Sequence, residues 1–177
     1  MSTRFRLLVV LGLLVQLLAL KVRADSGSEI RFKVTLNPAG SFVAKSSSVS
    51  GVAVAGGSGY SASRVELDLR TLKTGIELRD RHMTKKYFET DKFPKAVLTQ
   101  AVAKNGRFKA QLQIHGKSQL IEGSYEVKKS PSGSAFIEAR FKTSLSAFEI
   151  QEANYMGVGV EDEIDVFAKI LIEKAGS

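Results

Sequence analysis

The stretch AVLTQAVAKNGRFKAQLQI, residues 96–114, has the pattern of a β-hairpin. At its centre, Asn105 and Gly106 are the residues that a two-residue hairpin turn prefers, because both tolerate the positive φ angles of that turn. Apolar and polar residues alternate from Arg107 to Ile114, which is the pattern of a half-buried strand. The stretch therefore predicts two adjacent antiparallel strands.

The same alternation recurs on both sides of the hairpin and predicts about eight strands joined by short turns. It begins after Glu29 and is longest between Ile164 and Ile172. About eight is the strand number at which a closed barrel can enclose one small ligand, and closure leaves no unpaired edge strand. We therefore predict a mainly-β fold, an antiparallel β-barrel of about eight strands, with a β-sandwich as the alternative.

One segment, TLKTGIELRDRHMTKKYFETDKFPKA at residues 71–96, departs from the alternation and predicts a helix over residues 76–88, before Pro94. Three apolar residues share one helical face: Ile76, Met83 and Tyr87. Three potentially cationic residues share another: Arg79, His82 and Lys86. With Arg81 and Lys85, they form a cluster of donors that suits phosphate contacts. A solvated helix face is the alternative.

The first 24 residues have the features of a cleaved secretory signal peptide. Arg4 and Arg6 precede an apolar run over residues 7–20, which is shorter than the roughly 18 residues of a membrane-spanning helix. We expect cleavage near Ala24, a single domain over residues 25–177, and a periplasmic or secreted protein with no stable membrane span. An uncleaved anchor is the alternative.

Composition and motifs exclude several functional classes. Without the leader, 22 basic residues remain of 26, against 18 acidic ones, so the formal charge falls from +8 to about +4. This excess is too small to indicate nucleic-acid binding, so we expect no nucleic-acid partner. The chain has no cysteine, and therefore no disulfide or thiolate metal site. The acidic cluster at residues 161–165 matches no known cation-binding loop, so we expect a solvated strand entry and no metal.

No catalytic motif for nucleophilic, nucleotide-dependent or metal-dependent chemistry is present in the sequence. We therefore expect no catalytic residues and no cofactor. The only histidines are His82 and His115, and a lipid-processing hydrolase that uses one of them is the enzymatic alternative.

The sequence resembles the YceI-like family of secreted, lipocalin-like proteins that bind polyisoprenoids. Four segments carry the resemblance in order: LKTGIELRDRHMTKKYFETDKFPKA at 72–96, IHGK at 114–117, LSAFEI at 145–150 and EDEIDV at 161–166. Two early positions differ from the family pattern, because Asn37 and Gly40-Ser41 stand where an Asp and a His-Ser pair are common.

The resemblance implies one lipocalin-like β-barrel domain with a short helical insertion, whose apolar interior holds a prenyl or acyl tail. The implied function is non-enzymatic binding, carriage or sequestration of a long-chain isoprenoid, quinone or fatty-acyl lipid, by a monomer or homodimer. A secreted stress-response or partner protein with a filled core and no ligand is a further alternative.

We expect the apolar strand faces to contact the lipid tail, at twelve residues: Phe32, Val34, Val65, Leu67, Phe108, Leu112, Ile121, Tyr125, Ile137, Phe141, Val166 and Ile170. We expect three residues of the insertion to contact its head group: Arg79, His82 and Lys86.

Overall fold

The computed structural model describes residues 27–151, 153–155 and 157–173. The predicted signal peptide over residues 1–24 and its cleavage point near Ala24 lie outside the described residues. Within the described part of the chain, no helix has the length and hydrophobicity that crossing a bilayer requires.

The described strands belong to one sheet. In chain order they are β1 (Glu29–Asn37), β2 (Ser41–Ser46), β3 (Val49–Ser50), β4 (Ala53–Gly56), β5 (Gly59–Asp68), β6 (Lys95–Lys104), β7 (Arg107–Ile114), β8 (Lys117–Lys129), β9 (Ala135–Ser144), β10 (Asn154–Tyr155) and β11 (Val158–Glu173). The helical elements are short. They are a 3-10 turn at Leu69–Thr71, the α-helix α1 at Glu77–His82, a π-helical turn at Met83–Tyr87 and a 3-10 turn at Ser146–Phe148.

Seven strands close into a barrel, in the order β4, β5, β6, β7, β8, β9 and β11. The predicted mainly-β barrel with one short helical insertion is therefore confirmed. The barrel is mixed rather than fully antiparallel, because β11 runs parallel to β4, with Ile172 opposite Ala53 and Glu173 opposite Val54. The reason is the length of β11. Glu29, the first residue of β1, lies opposite Lys169, and β11 continues to Glu173. This last part of β11 has no β1 partner, and β4 pairs with it instead.

The β1–β2 hairpin enlarges the wall of the barrel beside β11. Phe32 of β1 lies opposite Val166 of β11 and opposite Ala44 of β2, so the apolar faces of the three strands coincide. This register brings together residues that are far apart in sequence, and it makes one continuous apolar surface from the period-two pattern of each strand.

The helical segment between β5 and β6 begins as an α-helix and ends as a π turn, instead of the single regular helix predicted over residues 76–88. In the π turn, the N–H of Phe88 donates to the carbonyl of Met83, five residues earlier. Because this turn is wider than an α-helical one, each residue advances less around the axis. A residue beyond Met83 can therefore lie on a different face from the one that a regular helix would give it, as Lys86 does.

Candidate functional site

The interior of the barrel contains a cavity of about 540 Å³. Its described lining is almost entirely aliphatic and aromatic, and it extends from Tyr60 on β5 to the helical segment. Protein interiors rarely contain voids much larger than a water molecule, whereas ligand pockets occupy roughly 300–1,000 Å³. The size and lining of this space are therefore those of a binding cavity for an apolar molecule.

All but two of the predicted tail-contact residues line this cavity: Phe32, Val34, Val65, Leu67, Phe108, Leu112, Ile137, Phe141, Val166 and Ile170. Their contact with a lipid stays a prediction. The two exceptions, Ile121 and Tyr125, are both on β8. Ile121 is buried without reaching the cavity, and the Tyr125 ring packs edge-on against the ring of Tyr60, with centroids 6.0 Å apart.

Gly123 explains why the inward face of β8 does not reach the cavity. A Cβ atom at this position would lie 2.6 Å from the Phe108 ring and 2.9 Å from Cβ of Phe141. These two phenylalanines, one from each neighbouring strand, meet edge to face over the glycine, with centroids 5.8 Å apart. They form the cavity wall where Ile121 and Tyr125 were expected.

The helical segment contributes lining residues that were not among the predicted tail contacts. Its apolar face, identified from sequence spacing, points into the cavity: Ile76, Met83 and Tyr87. Phe148, in the predicted LSAFEI motif, is 1% exposed and also lines the cavity. The spacing and the motif were the signals that could have identified these residues as cavity contacts.

Two of the three predicted head-group residues, Arg79 and His82, line the cavity from α1. The Arg79 guanidinium lies over the Phe42 ring of β2, 4.3 Å from its centroid, in a cation–π contact that fixes its position. Among the described lining residues, Arg79 is the only one that carries a permanent charge.

The third predicted head-group residue, Lys86, does not line the cavity. It is exposed, and its ammonium lies 5.3 Å from the centroid of the Tyr87 ring. The π turn is the physical reason, because it rotates Lys86 away from the face that Arg79 and His82 share.

Asp80 attaches the helical segment to the loop that precedes it. Its Oδ1 accepts hydrogen bonds from the backbone N–H and from the hydroxyl of Thr74, both at 2.7 Å. The Lys73 ammonium lies 3.8 Å from its other carboxylate oxygen. Asp80 is 7% exposed, so these contacts replace water around the charge. By fixing the start of α1, they orient its neighbour Arg79 toward the cavity.

His115 lies outside the cavity lining and joins three other segments. Its Nε2 is 2.8 Å from the Glu89 carboxylate, and its Nδ1 is 3.3 Å from the carbonyl oxygen of Phe148. Its ring also packs on Phe93, with centroids 4.5 Å apart. Hydrogen bonds from Lys92 first, and then from His115, hold the pKa of Glu89 below its ordinary value. We call this group, residues 89, 93, 115 and 148, the His115 clamp.

The acidic residues at the start of β11 contact neighbouring protein groups. Asp162 accepts hydrogen bonds from the backbone N–H and the hydroxyl of Ser146, both at 2.7 Å. Glu163 forms an ion pair with Lys142 at 2.5 Å. Over the described ranges, no three His, Cys, Asp or Glu side chains come together as a metal-binding group.

The cavity opens between the helical segment and the start of β11. Four exposed residues that also line the cavity mark this opening: Ile76, Leu78, Gln151 and Val158. Arg79 and His82 lie on α1 beside it. A molecule with an apolar tail inside the barrel would therefore place its other end near these two side chains.

Residues 22–171 match the family described as the YceI-like domain, in agreement with the resemblance of the motifs. Among curated proteins, none matches this chain. The crystal structure of BcnA from Burkholderia cenocepacia is similar, with a TM-score of 0.69 at 14% identity over 84% of this chain and 98% of that one.

Two further solved structures are similar. One is a polyisoprenoid binding domain from Saccharophagus degradans implicated in plant cell wall breakdown, with a TM-score of 0.62 at 14% identity over 82% of this chain and 92% of that one. The other is the YCEI protein of Campylobacter jejuni, with a TM-score of 0.54 at 18% identity over 72% of this chain and 82% of that one. At such identities the likeness shows the fold alone, which is the predicted lipocalin-like barrel.

Proposed function

Because this chain belongs to the YceI-like family, we propose that it binds a long-chain polyisoprenoid, or a similar quinone or fatty-acyl lipid, and carries or sequesters it in the periplasm without catalysing its conversion. The observation that carries the proposal is the apolar cavity of about 540 Å³, with a single permanent charge at Arg79 among its described lining residues. The polyisoprenoid binding domain from Saccharophagus degradans, similar in fold, supports the same ligand class.

The tail supplies most of the expected affinity. Each methylene group that leaves water for an apolar wall contributes about 0.8 kcal/mol. A tail of some tens of carbons would therefore exceed the practical ceiling of about 20 kcal/mol, unless ordering of the chain offsets much of the gain. The affinity that comes from burying the tail depends on its length and hardly on its chemical structure. It therefore favours long-chain amphiphiles as a class and does not select one of them.

The head group selects within that class. A hydrogen bond from the Arg79 guanidinium to a charged oxygen contributes about 1.5–3 kcal/mol, which changes the preference among ligands that share a tail. The contact of Arg79 with Phe42 restrains the guanidinium before a ligand arrives and lowers the entropy lost on binding. We therefore expect lipids with a phosphate or another anionic or polar head group to bind better than hydrocarbons.

Native mass spectrometry of the secreted protein, followed by organic extraction, tests the proposal. We expect a bound polyprenyl, quinone or fatty-acyl species, and the intact mass also separates monomer from homodimer. The variant Ala101→Phe narrows the cavity and should lose most of this ligand, whereas Val102→Phe, on the adjacent exposed residue, should keep it.

Two results would contradict the proposal. A protein that carries nothing and does not shift in mass when offered prenyl lipids would favour the ligand-free partner protein. Turnover of such a lipid that disappears when His82 is replaced would favour the hydrolase.

A further inference from the structure

The rim of the cavity opening exposes apolar side chains to solvent. Ile76 is 50% exposed, Leu78 is 47% exposed and Val158, across the opening, is 41% exposed. Single exposed apolar residues are ordinary on protein surfaces. These three, however, all line one cavity while remaining exposed, so they form an apolar edge around its entrance.

Cationic side chains lie on the outer side of the same helical segment. They surround a shallow cleft of about 180 Å³ whose basic lining residues are Arg70, Lys73, Arg81 and Lys85. Residues 70–86 contain six Lys or Arg residues and two carboxylates. The formal excess of about four positive charges expected for residues 25–177 therefore equals the excess within this one segment.

The lining of the cleft carries a net positive charge, because its four basic residues outnumber its two acidic ones. Asp80 is buried and engaged by Thr74 and Lys73. The Lys85–Asp91 ion pair joins exposed side chains, and such surface pairs are weak, so Lys85 can exchange its carboxylate for a lipid phosphate at little cost. Arg70 is held more firmly, because its guanidinium donates two hydrogen bonds to Asp68, at 2.9 and 2.7 Å. Glu77, also exposed, is the remaining acidic group of the cleft.

An exposed apolar edge beside a basic surface is the combination that binds the interface of an anionic bilayer. We propose that the helical segment and the rim of the opening dock on an anionic phospholipid surface, so that a long-chain lipid passes between bilayer and cavity without crossing water. This inference rests on the proposed function. The positive surface supplies long-range attraction, and Ile76 and Leu78 enter the headgroup region beside the entrance.

Vesicle flotation of the secreted protein, residues 25–177 after the expected cleavage, tests the docking. The vesicles are phosphatidylcholine alone, or an equal mixture of phosphatidylcholine and phosphatidylglycerol. We expect binding to the mixed vesicles only, weakening as salt is added because added ions screen the attraction. The double variant Arg81→Glu/Lys85→Glu should bind at least about tenfold more weakly, since two attractive charges become repulsive.

Matched controls separate the docking surface from general surface properties. Ile76→Ser/Leu78→Ser should reduce vesicle binding by roughly tenfold. Val102→Ser/Leu120→Ser removes two exposed apolar residues that do not line the cavity, with exposures of 61% and 60%, and should bind like the wild type. Lys104→Glu/Lys129→Glu reverses two charges at exposed strand positions and is the matched control for Arg81→Glu/Lys85→Glu.

Each contrary outcome overturns the docking. The first is that the wild-type protein does not bind the mixed vesicles, and the second is that the control variants lose as much vesicle binding as the test variants. The third is a dimer in sedimentation velocity that Ile76→Ser/Leu78→Ser abolishes, because this result would assign the surface to a second copy of the chain. Native mass spectrometry keeps the two proposals apart. If the protein carries lipid but does not bind vesicles, only the docking is contradicted. If it binds vesicles and never carries lipid, the proposed function is contradicted.

Discussion

The helical segment and the His115 clamp both lie in sequence motifs, and each contains one of the two histidines. Their side chains, however, face different surroundings. The helical segment turns Arg79 and His82 toward the cavity, while Asp80 attaches it to Thr74. The clamp turns His115 away from the cavity and joins the β7–β8 turn to Glu89 and Phe148. A motif residue is therefore assigned to ligand binding or to fold stability only by what its side chain faces.

The largest effect is expected at the attachment of the helical segment. Asp80→Ala leaves the N–H and hydroxyl of Thr74 without their charged acceptor and should lower the free energy of unfolding by about 2–3 kcal/mol in urea denaturation. It should also reduce lipid retention, because Arg79 loses its orientation. Asp80→Asn keeps one acceptor oxygen and should cost less. Equal losses in the two variants would contradict the role of the carboxylate as anchor.

Arg79 should affect binding without affecting stability to a similar extent. Arg79→Gln removes the one permanent charge among the described lining residues and should weaken binding of an anionic-headed lipid by roughly tenfold or more. Arg107→Gln changes the same residue type at an exposed strand position that lines neither the cavity nor the basic cleft, and it is the matched control in a lipid titration. If both variants weaken binding alike, the head-group assignment is wrong.

The clamp should show the opposite behaviour. His115 has a φ angle of 52°, which asparagine tolerates, so His115→Asn removes the bond to Glu89 without adding backbone strain. We expect a loss of about 1 kcal/mol in unfolding free energy and unchanged lipid retention by native mass spectrometry. Loss of the bound lipid at unchanged stability would instead place His115 in the binding site.

The smallest effect concerns acid stability. The pKa of Glu89 is held below 4.5 by Lys92 first and by His115 second, so its stabilising contribution is complete above pH 4.5 and is lost as the pH falls through the lower folded value. Glu89→Gln should flatten this part of the curve of unfolding midpoint against pH. A curve identical to that of the wild type would show that the negative charge of Glu89 does not stabilise the clamp.

The local pattern predicted much of the fold and of the site. Period-two alternation identifies which residues of a strand share a face, and the predicted tail contacts Phe32 and Val166 do line the cavity from two paired strands. The break in that alternation located the helical segment, and its spacing put Arg79 and His82 on one face. These inferences succeed because strand and helix periods are properties of neighbouring residues.

Only the tertiary structure decided which apolar faces reach the cavity and how the barrel closes. Ile121 and Tyr125 lie at the positions where the alternation of β8 places its inward face. Phe108 and Phe141, however, meet over Gly123 and form the cavity wall in their place. The parallel pairing of β11 with β4 and the bond between His115 and Glu89 likewise join residues distant in sequence. The sequence by itself determined faces, and packing between distant segments determined what those faces contact.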